Sequence, residues 1–115
     1  MAMLNWNDYR AQIMQGVGNL GKLSADTVRG YATLSGAEGK TGQLDAKTRE
    51  LIALASAVSL RCDGCITVHV EAAHRLGATR EEIAEALGVA ISINAGAALV
   101  YSTRTLDALE ALQSA

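Results

Sequence analysis

Cys62, Cys65 and His69 form the pattern C-x-x-C-x-x-x-H. At about 100° per residue, a helix starting near Cys62 brings Cys62, Cys65, His69, Ala72 and Leu76 into one arc of about 80°. Two sulfurs and an imidazole then share an inward stripe. The thiolate is the reactive form of cysteine, and both a helix N-terminus and a neighbouring imidazolium favour it. Cys62 gains from the helix dipole, and Cys65 from standing one turn before His69. Taken singly, each of these residues reads as a small buried hydrophobe or a hydrogen-bonded core histidine. In combination they point to redox chemistry.

The same three side chains could fill three positions of a tetrahedral zinc site. The fourth ligand is missing locally, because His74 lies roughly 140° around the helix from His69 and faces solvent. No metal and no cofactor is therefore expected. Glu50 is the remaining candidate. It sits on the preceding helical stretch where the sequence turns apolar at Leu51 and Ile52, and a carboxylate entering such a stretch needs a partner or a proton. If the two helices pack antiparallel across a short joint at Arg61, Glu50 approaches His69 as a general base or as the group that orients the ring. The alternative is a surface carboxylate paired with Lys47 or Arg49.

These residues need a scaffold. The chain has 115 residues, half of them hydrophobic, with no proline or phenylalanine. Its length suits one domain, and its core must come from Ala, Leu, Ile and Val on uninterrupted helices. An all-α fold of five to six helices, spanning residues 1–115 as a single domain, is predicted. A mean hydropathy of +0.16 in so small a chain implies more apolar surface than one copy hides, hence a homo-oligomer. The formal charge of −2 is spread without a basic run or aromatic platform, so neither nucleic acid nor anionic lipid is an expected partner. The N-terminal MAMLNWNDYR lacks the character of a signal peptide, which places the chain in a reducing cytosol, where a structural disulfide is not expected. Ile83 to Tyr101 could pass for a membrane span, but Glu85 and Asn94 interrupt it, and a helix buried between subunits fits better.

Along the chain, a first helix is expected over Asp8 to Gln15, with Trp6, Tyr9 and Ile13 inward, ending in a turn at Gly16, Gly18 and Gly21. Ser24 is the N-cap candidate for a helix through Val28, Tyr31 and Leu34, followed by a flexible connection over residues 36–43. Asp45 should cap a helix over Ala46 to Leu60 whose second half is buried. The cysteine helix should start near Cys62 and end at Leu76, with Gly77 supplying the left-handed C-terminal position. Thr79 and Glu82 form a capping box for the next helix. That helix meets Gly96, after which Leu99 to Leu112 again repeats apolar residues at helical spacing.

The stretch KTRELIALASAVSLRCDGCITVHVEAAHRLGATREEIAEAL resembles the alkylhydroperoxidase D-like core of the carboxymuconolactone decarboxylase family, over about residues 44–101. That family's redox branch has a glutamate, two cysteines two residues apart and a histidine four further on, which fall here on Glu50, Cys62, Cys65 and His69. The resemblance implies an all-α fold assembled into trimers or hexamers. It also implies a cysteine pair that cycles between dithiol and disulfide while glutamate and histidine relay protons. Residues 63 and 64 are Asp and Gly, so any role of a histidine between the cysteines in some members does not carry over.

The expected activity is reduction of alkyl hydroperoxides or hydrogen peroxide, with a peroxide substrate and an external thiol or disulfide reductant as partners. Proximity to His69 and the family pattern favour Cys65 as the attacking thiol and Cys62 as the resolving one. Three alternatives remain: disulfide exchange with a partner or lipoamide-like carrier, lactone decarboxylation as in the family's namesake, and a non-catalytic module.

Overall fold

The structure is a computed structural model that describes residues 2–114. Among them are five α-helices and no strand: α1 (Trp6–Leu23), α2 (Ala25–Ala37), α3 (Ala46–Leu60), α4 (Asp63–Arg75) and α5 (Arg80–Gln113), with one 3-10 turn at Glu38–Lys40. The predicted all-α fold is the observed one.

Where each helix starts follows from local chemistry. Asn5 caps α1 by accepting the Asp8 N–H at 3.2 Å, and Asp45 caps α3 by accepting the Thr48 N–H at 2.8 Å. Thr79 and Glu82 make the reciprocal capping box at α5, with both bonds at about 3 Å, at 3.0 and 2.9 Å. Ser24 precedes α2 as expected, but its hydroxyl bonds the Thr27 hydroxyl and makes no cap to the backbone.

Two interruptions expected from glycine do not occur. α1 runs through Gly16 and Gly18, and α5 runs through Gly96 as one 34-residue helix. Glycine weakens a helix interior by about 1 kcal/mol but keeps its N–H, so without a proline the backbone ladder continues. The connection after α2 is also shorter than expected, since helix persists to Ala37 and the 3-10 turn follows directly.

The centre is the α3–α4 hairpin, with α1 packed on α4 and α5 on α3. Its buried side chains are small: Leu54 and Ala57 from α3, Thr67, Ala72 and Ala73 from α4, and Ala90 from α5. Small residues let the helix axes approach closely. The second half of α3 is not uniformly buried within one chain, because Ser56 is exposed and Leu60 remains 77% exposed. Trp6, Tyr9 and Ile13 are half-buried as predicted, and Thr67 Oγ1 donates to the Trp6 carbonyl at 3.2 Å while accepting from Arg10 at 3.4 Å. That pair of bonds pins α1 to the middle of α4.

Candidate active site

The hairpin that builds the site turns on Arg61. Its φ of 54° and ψ of 50° are left-handed, and the Cys62 N–H returns to the Ala57 carbonyl while the Arg61 N–H returns to Val58. This is a Schellman closure made without glycine. The other end of α4 closes the same way with Gly77 at φ 84°, the position expected from sequence, where the Ala78 N–H reaches Ala73 and the Gly77 N–H reaches His74.

So short a turn sends α4 back along α3, and Glu50 meets His69. Glu50 Oε2 lies 2.7 Å from His69 Nδ1, with the two side chains 18% and 29% exposed. The other two candidate partners of Glu50 are engaged elsewhere. Lys47 pairs with Glu82 at 2.8 Å, and Arg49 donates to the Leu44 carbonyl. The reading of Glu50 as an ordinary surface carboxylate is thereby set aside.

Cys62 and Cys65 are joined as a disulfide, with Cα atoms 5.3 Å apart, and both are half-buried. Cys62 is the N-cap residue of α4, with extended backbone at φ −105° and ψ 99°, and its Sγ accepts the Cys65 N–H at 3.1 Å. Ala72 is buried on the same stripe, whereas Leu76 at its end is exposed; His74 is exposed, as predicted. Among the described residues no three His, Cys, Asp or Glu side chains gather as a metal-binding group.

Two features were not anticipated. A cleft of about 560 Å³ runs along His69, walled by Tyr31, Leu34 and Ala37 of α2 and Ala53 of α3, with Ser35 and Glu38 also lining it. The imidazole thus touches a half-buried carboxylate and borders open space. The periodicity of Tyr31 and Leu34 was visible, but it reads equally as a core-facing stripe. Gly64 is the second feature. A Cβ there would lie 3.0 Å from Ile13 Cδ1, so the residue between the cysteines is small where α1 lies against the first turn of α4.

Fold and site together define an all-α protein organised around a cysteine-pair helix hairpin with a glutamate–histidine pair. The chain belongs to the carboxymuconolactone decarboxylase family, whose model matches residues 25–108, and its fold is the alkylhydroperoxidase D-like one found within that family. A crystallised family member from Legionella pneumophila superposes with a TM-score of 0.73 at 37% identity, over 91% of this chain and 94% of that one. A Methanobacterium thermoautotrophicum structure gives 0.68 at 31% identity, over 73% and 94%. An uncharacterised Haemophilus influenzae protein is 45% identical over 90% of this chain and 92% of its own length. A Paracoccus denitrificans protein, described as uncharacterised protein 4 in the cox locus, is 36% identical over 86% and 89%. The likeness extends well into the N-terminal third, beyond residues 44–101.

Proposed function

We propose that this protein is a thiol-dependent peroxidase that reduces alkyl hydroperoxides or hydrogen peroxide through a Cys62/Cys65 dithiol–disulfide cycle. The observation that carries the reading is the position of His69. Its ring is held by Glu50 at 2.7 Å, borders the cleft, and stands one turn after a cysteine pair close enough to be bonded. Proton traffic, substrate access and two-electron storage then meet along the first two turns of α4.

In the cycle, one thiolate attacks the distal peroxide oxygen, the O–O bond breaks, and an alkoxide or hydroxide leaves and takes up a proton. The sulfur becomes a sulfenic acid, which the second thiol attacks to form the disulfide and release water. Two electrons have then passed from the pair to the peroxide. An external thiol or dithiol returns them by exchange, becoming oxidised itself. Glu50 orients the imidazole, and His69 accepts and returns the protons that these steps move. A thiol-rich compartment such as the cytosol suits the return step.

The test follows free thiols by rapid quench after an organic hydroperoxide is added to the reduced protein, beside Cys62→Ser and Cys65→Ser. Both thiols should disappear rapidly in the unaltered protein and return with dithiothreitol, and neither single variant should form the internal disulfide. Thiols that persist through excess peroxide would overturn the reading. Fast exchange with disulfides in that case would point to an exchange adaptor. A lactone decarboxylase would keep its activity when both cysteines are replaced.

A further inference from the structure

We infer that the face of α4 turned away from the cysteines carries a second binding site, for a small organic carboxylate with an apolar body. The inference does not depend on the peroxidase reading.

A cleft of about 470 Å³ opens where the starts of α1 and α5 meet the second half of α4. Each helix brings one nitrogen-bearing side chain to it: Arg10 from α1, His74 from α4 and Arg80 from α5. His74 lies roughly 140° around α4 from His69. This cleft and the one along His69 share no lining residue.

Arg10 is the group that asks for a ligand. It is half-buried, yet among the described residues no carboxylate pairs with it. Its guanidinium donates to Asn7 Oδ1 at 2.8 Å and to Thr67 Oγ1 at 3.4 Å, and both acceptors are neutral. Thr67 is fully buried and itself donates to the Trp6 carbonyl, so it fixes the guanidinium without compensating its charge. A cation drawn partly out of water recovers only part of the cost from neutral acceptors. The remaining N–H donors of Arg10 are left for water or a ligand.

The carboxylates around the cleft do not cancel this charge. Glu71 lines it, but both of its oxygens accept from Arg75, at 3.3 and 3.4 Å, and Arg75 stands outside the cleft. Glu82 is held by the Thr79 N–H and by Lys47. Asp8 and Glu81 are exposed and do not line the cleft. Arg80 makes no ion pair among the described residues. Two guanidinium forks thus border one space, and such forks match the two oxygens of a carboxylate. Val70, Ala78 and Ile83 give the same space an apolar wall. That wall favours an anion carried on a carbon body over inorganic phosphate, whose further oxygens would lose water against it. Since α5 packs chiefly on α3, a ligand held by Arg10 and Arg80 adds a link between α5 and α1.

The experiment titrates the full chain, disulfide intact, with benzoate, benzamide and inorganic phosphate by calorimetry. Benzamide keeps the ring and loses the charge; phosphate keeps the charge and lacks the body. Benzoate should bind at least about tenfold more tightly than either, the size expected from one charge-assisted hydrogen bond. Arg80→Gln and Arg10→Gln should each weaken benzoate by about tenfold, while Arg29→Gln, which removes the same charge from α2, should leave it unchanged. Arg10 also anchors Thr67, so a melting curve accompanies its variant, and the exposed Arg80 decides the matter if Arg10→Gln does not fold. No benzoate binding, or benzoate binding that ignores Arg80→Gln, overturns the site. Equal binding of benzamide or of phosphate overturns the ligand class.

Discussion

At the scale of single residues, the proposed chemistry turns on the Glu50–His69 pair, whose carboxylate and imidazole lie 2.7 Å apart. Glu50→Gln is nearly isosteric and still able to hydrogen-bond the ring, so the fold should hold while the carboxylate's control of the ring's charge and tautomer is lost. Turnover with an organic hydroperoxide should fall by about 10- to 100-fold, the usual cost of removing a group that orients another, with thermal stability little changed. A steady-state assay coupled to dithiothreitol consumption, beside a melting curve, reads both. An unchanged rate would make the pair structural. How far the site was legible differs from residue to residue. Cys62, Cys65 and His69 were visible because their spacing matches one helix face. Glu50 was visible only as a choice, since its partner depended on the direction of the next helix. Gly64 was hidden, because what requires a small residue there is Ile13, 51 positions earlier in the chain, and no local pattern encodes that approach.

At the scale of elements, starts were easier to read than stops. Asp45 and the Thr79–Glu82 box announce α3 and α5 through donors that must be satisfied within three residues. The stop at Leu60 was placed correctly although Arg61 is no glycine, because the cysteine helix follows at once, whereas the glycines in α1 and α5 suggested stops that the backbone ignores. The capping box has a second use. Glu82 spends Oε1 on the Thr79 N–H and Oε2 on Lys47 Nζ, tying the start of α5 to the start of α3. The Lys47 bond holds the Glu82 carboxyl below its usual range, and the Glu82 bond raises the Lys47 ammonium above its own. A depressed carboxyl stabilises the fold above its unfolded value and loses that contribution as pH falls through the folded one. A raised lysine stabilises below its unfolded value and loses it as pH rises through the folded one. The difference in melting temperature between the unaltered protein and Lys47→Met should therefore be a plateau at neutral pH, narrowing below the carboxylate range and again above the lysine range. A difference independent of pH would mean that Lys47 acts through packing alone. The contribution is modest in either case, since both groups are partly exposed.

At the scale of the whole molecule, one chain is more open than a compact domain of its length, and we propose that it works as an assembly of copies. Its radius of gyration is 18.9 Å, against about 13 Å for a compact domain of this length. Its accessible surface is 8937 Å², against roughly 6000 Å² for a folded monomer of its mass. The excess of about 3000 Å² falls in the range of obligate interfaces, and much of it is on α5. Ile91, Leu99, Leu106 and Leu109 are exposed and, with Ala95, Ala98 and Ser102, repeat at three- and four-residue intervals along one face, the pattern of a helix packed on other helices. α5 is also long and apolar enough to cross a membrane by length and composition, with a mean hydropathy of 1.8 over its most apolar window. The two environments give opposite results. An assembled protein should remain in the supernatant after ultracentrifugation without detergent and sediment at three or six times the chain mass of 12.0 kDa. Leu99→Asp with Leu106→Asp should abolish that assembly, because a carboxylate desolvated in an apolar helix interface costs several kcal/mol. Glu50 and His69 lie on α3 and α4 rather than on α5, so peroxide consumption should be measured on the same samples. Recovery of the protein only in detergent, or a monomeric mass in its absence, would overturn the assembled state.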